Sequence, residues 1–367
     1  MKSRLKTLLM DLMRIPGLSG HEDRVRRRLT RELNALGLET RTDRLGNLMA
    51  TSRGDPDRPS VMLFTHMDQL GLMVRKIEAN GLLRVERLGG VPERALASQE
   101  VLLCVGEGRD VPGVIANKSH HATSPEEKYR VLPYAEIFID AGFASADEVR
   151  AAGVNIGTPV VYAPRALELA NERIAGTAVD DRAGCAVVVE AARALLATTD
   201  RPTVHFVFSV QEEFNLRGAV VAAQAIQPDI AIQIDLMLAT DTPDMAARGD
   251  VTLGGGPAIS LYSFHGRGTL NGTLPHPALV HLFEASAEAQ GIALQRSAQM
   301  GVLTDASYVQ LVGRGVASID VGFPCRYTHS SLEVCDLGDL VALTSLLAAA
   351  ISSVGSGFPL NRDAFDP

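Results

Sequence analysis

The chain has 367 residues, of which 46% are hydrophobic and 21% are charged, as expected for a globular protein with a large core and a second structural unit. Its net charge of −8 argues against a nucleic-acid partner, because such proteins usually carry a basic surface. The four cysteines include no Cys-x-x-Cys pair, which favours a reduced, cytoplasmic protein over one with a zinc knuckle.

Both ends of the chain predict helices and neither predicts a membrane span. Asp11 and Arg14 interrupt the first apolar run, so residues 1–13 favour an amphipathic helix over a signal peptide. The stretch from Leu340 to Val354 contains four hydroxyl residues and predicts a packed C-terminal helix. Near the N-terminus, Ser19-Gly20-His21-Glu22 has the Ser-x-x-Glu pattern of a capping box, which predicts the start of a second helix.

A histidine and an aspartate follow the first strongly apolar strand, predicted at residues 61–64. His66 could bind a metal ion through one ring nitrogen, while Asp68 orients the ring or accepts its other N–H. Taken alone, the motif is better explained by a hydrogen-bonded histidine at the edge of a strand.

The next ninety or so residues predict a β-rich insertion. Two apolar runs flank Asn80-Gly81, which is a strong signal for a β-hairpin. Several short strands at this spacing favour a small β-barrel or PDZ-like unit. We therefore expect a catalytic domain of residues 1–71 and 164–367, interrupted by an inserted domain of residues 72–163. Within the insertion, His120-His121 is expected in a surface loop.

Beyond residue 164, strands alternate with helices, which predicts an α/β fold with a mostly parallel sheet flanked by helices. Ligands of such sheets bind beyond the carboxyl ends of the strands. Carboxylates and histidines follow several predicted strands at this edge, and we expect five of them to lie together: His66, Asp180, Glu213, Asp235 and His329.

The apolar run from Val204 to Val210 predicts a buried strand that ends close to Glu212 and Glu213. An acidic pair is usually a solvated loop, but buried carboxylates need a partner or a metal ion. Two histidines and three carboxylates suffice for two metal ions that share one carboxylate, acidify a bridging water and polarise a substrate carbonyl. Glu212 could then be the base that takes the proton of the water and passes it to the leaving amine.

Six short motifs follow one another along the chain, and four of them contain His66, Asp180, the Glu212-Glu213 pair or His329. They are Thr65-His66-Met67-Asp68-Gln69-Leu70-Gly71, Ala178-Val179-Asp180-Asp181-Arg182-Ala183-Gly184, Val210-Gln211-Glu212-Glu213, Asp241-Thr242-Pro243, Thr304-Asp305-Ala306 and Arg326-Tyr327-Thr328-His329-Ser330. Together they resemble the motifs of the tetrahedral aminopeptidases, metallopeptidase family forty-two, whose members have also been labelled endoglucanases. The resemblance covers nearly the whole chain.

The resemblance implies a binding role for each of the five side chains. His66 and Asp235 would be the terminal ligands of one metal ion, and Glu213 and His329 those of the other. Asp180 would bridge the two ions. The cofactors would be two divalent ions, zinc or cobalt, which suit a mixed set of imidazole and carboxylate ligands.

The resemblance also implies catalysis and assembly. Glu212 would be the general base. Asp68 would lie behind His66 and orient its ring, and Asp181 would lie next to the ligands without binding metal. The inserted domain would build dimers that assemble into a hollow tetrahedral dodecamer, so the substrates would be peptides small enough to enter. We therefore expect a metal-dependent, cytoplasmic aminopeptidase that removes N-terminal residues from peptides.

Three positions depart from the family pattern. Leu236-Met237-Leu238 follows Asp235 where smaller or more polar residues are usual, and Gln69 replaces an acidic residue. We expect both changes to alter substrate preference, and we expect Tyr308 to narrow the substrate pocket.

Two other functions are compatible with the same residues. One is a two-metal amidase or deacylase acting on N-acyl amino acids, which would not need a free substrate amine. The other is a non-catalytic metal-binding scaffold, although such a protein has no use for Glu212. Glycoside hydrolysis is disfavoured, because the chain has no tryptophan and only 5% aromatic residues to line a sugar cleft.

Overall fold

The computed structural model describes residues 1–266 and 270–364. Its helices are α1 (Lys2–Met13), α2 (Asp23–Ala35), α3 (Ala146–Ala151), α4 (Val179–Leu196), α5 (Gly218–Ile226), α6 (Pro277–Gln290), α7 (Ala306–Val309) and α8 (Leu337–Ser352). Its strands are β1 (Thr40–Thr42), β2 (Leu48–Ser52), β3 (Val61–His66), β4 (Gly71–Ile77), β5 (Leu83–Leu88), β6 (Glu100–Leu103), β7 (Val111–Ile115), β8 (Phe138–Asp140), β9 (Pro159–Tyr162), β10 (Ala166–Glu168), β11 (Arg173–Gly176), β12 (Val204–Ser209), β13 (Ile230–Leu238), β14 (Ala258–Phe264), β15 (Gly272–Thr273), β16 (Gln295–Met300), β17 (Ala317–Arg326) and β18 (Glu333–Asp336).

Twelve of these strands form one large sheet in the order β1-β2-β12-β3-β13-β17-β18-β11-β10, with β14 joined to β17 and carrying β15 and β16. The central strands β12, β3, β13 and β17 are parallel. Their outer neighbours β2 and β18 are antiparallel to them. The predicted α/β class is confirmed. The sheet is mixed rather than mostly parallel, because strands outside the central four, such as β18, return through short loops instead of helical crossovers.

Helices cover both faces of this sheet, and strand β3 shows why its sequence is apolar throughout. Successive side chains of a strand point to opposite faces. Val61 and Leu63 accordingly pack into the core shared with α1, α4 and α8, whereas Met62 and Phe64 pack against α5 and α7. Within the described residues, none of the helices has the length and apolar character required to cross a membrane.

The remaining six strands close into a barrel in the order β4-β5-β8-β7-β6-β9, which confirms the predicted inserted barrel. The β4–β5 hairpin turns at Asn80-Gly81, where Gly81 has a φ of 85°. His120 and His121 are exposed, as predicted. Because the barrel strands all fall between Gly71 and Tyr162, we propose the domain division given above.

The predicted capping box before α2 is wrong. The Ser19 hydroxyl donates to Asp68 Oδ2 at 2.5 Å, and α2 begins only at Asp23. Glu22 Oε1 accepts the N–H of Gly20 at 2.6 Å and that of Gln211 at 3.2 Å. Both side chains are buried and form hydrogen bonds with residues far along the chain. The side chain of Glu22 makes no capping hydrogen bond to α2.

Candidate metal centre

The five side chains predicted to meet do lie together at the carboxyl ends of the central parallel strands. They come from the end of β3, the irregular first residues of α4, the turn after β12, the strand β13 and the loop after β17: His66, Asp180, Glu213, Asp235 and His329. All five line one cavity of about 750 Å³. Asp235 lies within β13 and not after it, because β17 pairs with this strand as far as Leu238.

Asp180 occupies the middle of this cluster. Its Oδ1 lies 3.0 Å from His66 Nε2, and its Oδ2 lies 3.5 Å from His329 Nε2. The two carboxylate oxygens therefore face two different imidazoles. Asp180 has non-helical dihedral angles at the start of α4, and its peptide bond to Asp181 is cis.

Ligand atoms fall into two groups around this carboxylate, and the atoms of each group lie within 4.8 Å of one another. We call them the inner group (His66, Asp180 and Asp235) and the outer group (Asp180, Glu213 and His329). Among the described residues no lysine or arginine forms an ion pair with any of these carboxylates. Buried carboxylates need compensating charge, and imidazole and carboxylate ligands suit divalent transition-metal ions. The residues therefore fit two divalent cations.

Asp68 lies behind the cluster and is fully buried. Its Oδ1 is 3.4 Å from His66 Nδ1 and accepts the N–H of Glu212 at 3.0 Å. Its Oδ2 accepts the N–H of Glu213 at 3.1 Å and the hydroxyl of Ser19. One carboxylate thus lies beside a histidine ring and accepts two N–H groups of the turn that carries the two glutamates.

Asp181 belongs to neither group. It accepts hydrogen bonds from the hydroxyl of Thr65 and from the N–H of Gly184, the latter at 3.0 Å. The neighbouring Arg182 is fully buried and donates to backbone carbonyls, including that of Met67, and to Gln69. The guanidinium therefore secures the segment after β3 and leaves the carboxylate cluster without a cationic side chain.

Burial dominates the electrostatics of the acidic groups. Burial, reinforced by the carboxylates of Asp235 and Asp305, raises the pKa of Glu212 well above its ordinary value. Burial likewise raises the pKa of Glu213 to about 7. Glu212 lines the same cavity but belongs to neither group of ligand atoms, so its carboxylate is free to exchange a proton.

The two histidines respond to the surrounding carboxylates. Although burial lowers it, the pKa of His66 is raised well above its ordinary value by Glu212, Asp180 and Asp68. Glu213, with Asp180, raises the pKa of His329 to about 9 against the opposing effect of burial. Each imidazole is thus surrounded by negative charge, which also favours a bound cation.

Sequence reasoning missed Glu333, on β18. Its Oε2 accepts the N–H of Asp180 at 3.0 Å and its Oε1 accepts the N–H of His329 at 2.7 Å. One side chain therefore ties together the central carboxylate and the outer histidine. No spacing pattern around Glu333 marks this role. Asp305 had no assigned role either, and it is buried with its Oδ2 accepting the hydroxyl of Ser209 at 2.9 Å.

The wall of the cavity contains two of the residues that depart from the family pattern. Leu236 and Leu238 line it, whereas the alternate residue Met237 packs on the opposite side of β13. Tyr308 is not among the lining residues and is 37% exposed on α7, so the expectation that it narrows the pocket is wrong. Gln69 does not line the cavity either. Its side-chain oxygen accepts the N–H of Gly17.

The α/β sheet, the barrel and the paired ligand groups define a peptidase with donors for divalent metal. The chain belongs to the M42 glutamyl aminopeptidase family, whose pattern matches residues 46–346. It is therefore an aminopeptidase, a hydrolase of peptide bonds, and the prediction of this family and activity is confirmed.

Several proteins are similar to it over almost their whole length. SgcX of Escherichia coli (strain K12) is 37% identical over 366 residues, which cover 99% of this chain and 98% of that protein. The aminopeptidase APDkam598 from the archaeon Desulfurococcus kamchatkensis has a TM-score of 0.90 at 33% identity, covering 97% of each chain. The TET1 peptidase of Pyrococcus horikoshii, which can assemble into a tetrahedron or a large octahedral shell, has a TM-score of 0.84 at 29% identity, covering 95% and 99%.

Proposed function

We propose that this aminopeptidase works with two divalent cations, one held by each ligand group, and with Glu212 as the general base. The observation that carries the proposal is the position of Asp180, whose two oxygens face His66 and His329 from opposite sides. A carboxylate in this position can serve two ions at once. His66 and Asp235 would complete the inner site, and Glu213 and His329 the outer one.

Two cations bound in this way would supply Lewis acidity towards a water and towards the scissile carbonyl. Glu212 would accept the proton of the attacking water and return it to the leaving amine. Its burial supports this role, because a raised pKa makes the carboxylate of Glu212 a stronger base towards the water. Asp68 would hold His66 and the backbone of Glu212 in the geometry that the transfer requires.

Zinc or cobalt is the metal we propose. Two imidazoles and three carboxylates form a borderline donor set, whereas calcium and magnesium prefer oxygen ligands alone. Elemental analysis of the purified protein, followed by removal of metal with a chelator and titration with single metals, would identify the ion. Two ions per chain are expected, and one ion or none would contradict the proposal.

The variant Glu212→Gln tests the mechanism. It should retain both ions and the fold but lose at least about 10²-fold in kcat, because an amide cannot accept the proton. The matched control is Glu288→Gln, which changes an exposed carboxylate on α6 and should leave kcat unchanged. Near-normal turnover by Glu212→Gln would remove Glu212 from the mechanism.

Substrates with free and blocked amines separate aminopeptidase activity from the amidase alternative. We expect hydrolysis of unblocked aminoacyl p-nitroanilides and peptides, and at least about a hundredfold lower kcat/KM for the N-acetylated forms, since an aminopeptidase recognises the free amine that acetylation removes. Preference for the acetylated substrates would favour an amidase. Turnover of neither kind would favour a metal-binding scaffold.

We also propose that copies of this chain associate, with a tetrahedral dodecamer as the assembly, in the cytoplasm. The support is the similarity to TET1, which forms closed shells, and the exposure of large apolar side chains such as Tyr129 at 85% and Leu311 at 67%. Exposed apolar surface of this kind often marks an interface. Light scattering should then give about 470 kDa, twelve times the chain mass of 39.1 kDa. A monomeric mass would contradict this proposal.

A further inference from the structure

The four residues 210–213, which we call the base turn, carry Glu212 into the cavity. Their backbone N–H groups are all accepted by buried side chains from the first 70 residues of the chain. The N–H of Val210 donates to Asn47 Oδ1 at 3.0 Å, and that of Gln211 donates to Glu22 Oε1 at 3.2 Å. The next two N–H groups donate to the two oxygens of Asp68.

The base turn needs this support because its backbone is not relaxed. Gln211 has a φ of 57°, in the left-handed region that side chains other than glycine rarely adopt. It immediately precedes Glu212. A rotation of the Gln211 peptide would therefore displace the carboxylate of Glu212 directly.

Glu22 is the acceptor at this strained position, and its side chain takes no part in the metal-ligand cluster. It is 4% exposed, it belongs to neither ligand group and it does not line the cavity. Besides the N–H of Gln211, its Oε1 accepts that of Gly20 at 2.6 Å, which connects the start of α2 to the base turn.

We propose that Glu22 is a positioning residue for the general base. By accepting the N–H of Gln211, it fixes the backbone from which Glu212 projects. The inference rests on the proposed role of Glu212. Misplacement of a catalytic group by about 1 Å can cost about 10²-fold in rate, so the loss of this acceptor should lower kcat with little effect on KM.

Two conservative variants separate the position of the acceptor from its charge. Glu22→Gln keeps an acceptor oxygen at the same reach and removes the charge, whereas Glu22→Asp keeps the charge and withdraws the oxygen by one methylene group. Positioning predicts that Glu22→Gln stays within about threefold of the wild type in kcat. Glu22→Asp should lose about tenfold or more in kcat, with KM changed by less than about twofold.

A matched control distinguishes positioning from a general loss of stability. Asp339 is 2% exposed and also accepts two backbone N–H groups, those of Gly254 and Gly256 at 2.8 Å each, in a loop that does not line the cavity. Asp339→Ala and Glu22→Asp should both lower the melting temperature. Only Glu22→Asp should lower the kcat of the folded protein, and it should retain its metal content.

Four outcomes would overturn the proposal. Glu22→Asp could keep a normal kcat, or it could lose its metal. Glu22→Gln or Asp339→Ala could also lose as much kcat as Glu22→Asp. Its failure is distinguishable from that of the mechanism. An inactive Glu212→Gln beside a fully active Glu22→Asp would leave the general base in place and reject only the role of Glu22. An active Glu212→Gln would reject the mechanism itself.

Discussion

The inner and outer ligand groups share Asp180 but are built in different ways. The side chain of His66 is 1% exposed, on a strand that is hydrogen-bonded on both sides, and its ring faces Asp68. The side chain of His329 is 37% exposed, in a loop where its own φ is 63°. The sheet therefore fixes the inner histidine, whereas the outer histidine depends on contacts made from other segments.

Two such contacts hold the outer histidine. Glu333 accepts its backbone N–H at 2.7 Å, and Gly90, in the loop after barrel strand β5, lies with its carbonyl oxygen 3.0 Å from His329 Nδ1. The comparison indicates a preorganised inner site and a more accessible outer site. We expect the outer cation to exchange first when the protein is dialysed against a chelator.

Asp180→Ala should have the largest effect, because it removes a ligand from both groups. We expect loss of both ions and a decrease in kcat of about 10³-fold or more, since the ions supply several kcal/mol of transition-state stabilisation. Elemental analysis and steady-state kinetics measure this. The neighbouring variant Asp181→Asn is the control and should keep both ions. Retention of one tightly bound ion by Asp180→Ala would show that the groups are independent.

Replacing each histidine by glycine tests their difference in exposure. Both His66→Gly and His329→Gly should lose about 10²-fold or more in activity, because each removes a metal ligand. Added imidazole should restore activity to His329→Gly, whose side-chain position opens to the cavity, and not to His66→Gly, which is enclosed. Equal rescue of the two variants would contradict the proposed asymmetry.

The fold was largely predictable because buried strands and tight turns each require a recognisable local sequence. Continuous apolar runs such as Val61–Phe64 are required of strands covered on both faces, and Asn80-Gly81 specifies its hairpin directly. The convergence of the ligands was also predictable, since parallel strands deliver their carboxyl ends to one edge.

The hydrogen-bond partners and surroundings of individual side chains could not be predicted from the sequence. The Ser19–Glu22 pattern is that of a local capping box, but the hydrogen-bond partners of these two side chains include residues 49 and 189 positions away. Tyr308 follows a ligand-like motif, and only the packing of α7 determines that it faces solvent. Glu333 acts through the backbone N–H groups of other residues, a role that no spacing rule specifies.

The pH dependence of metal binding at the outer group should follow its two raised pKa values. Metal binds neutral imidazole and ionised carboxylate, so protons compete with it. In protein stripped of metal, His329 with a pKa of about 9 should make affinity rise about tenfold per pH unit between pH 7 and 9. Below pH 7 the slope should steepen, because Glu213, with a pKa of about 7, also carries a proton.

Calorimetric titration with zinc at several pH values measures this slope. The stability of the stripped protein should show the opposite trend. The folded pKa of His329 is raised above its unfolded value, so the stabilisation that its protonated ring contributes is lost as the pH rises through about 9. A slope unchanged in His329→Asn would assign the effect to other groups.

Gly90→Ala should have the smallest effect and tests the contact between the barrel and the outer group. A Cβ at this position would lie 2.7 Å from His329 Nδ1 and 2.9 Å from Cε1, so the ring must shift. We expect affinity at the outer group to fall by about tenfold or less, with the inner group unchanged. Gly355→Ala is the control, since its Cβ would meet nothing within 4 Å. An unchanged outer affinity would show that the ring tolerates the displacement.

The carbonyl of Gly90 has a consequence for proton location on the imidazole. When neutral, His329 carries its single ring proton on Nδ1 if that nitrogen donates to Gly90, and this leaves the lone pair of Nε2 directed at Asp180 and Glu213. The barrel thereby selects the tautomer that can coordinate a cation. A motion that carried the loop after β5 away from the sheet would remove this hydrogen bond, and the ring proton could then move to Nε2. The position of the barrel therefore affects which nitrogen of His329 is available to a cation.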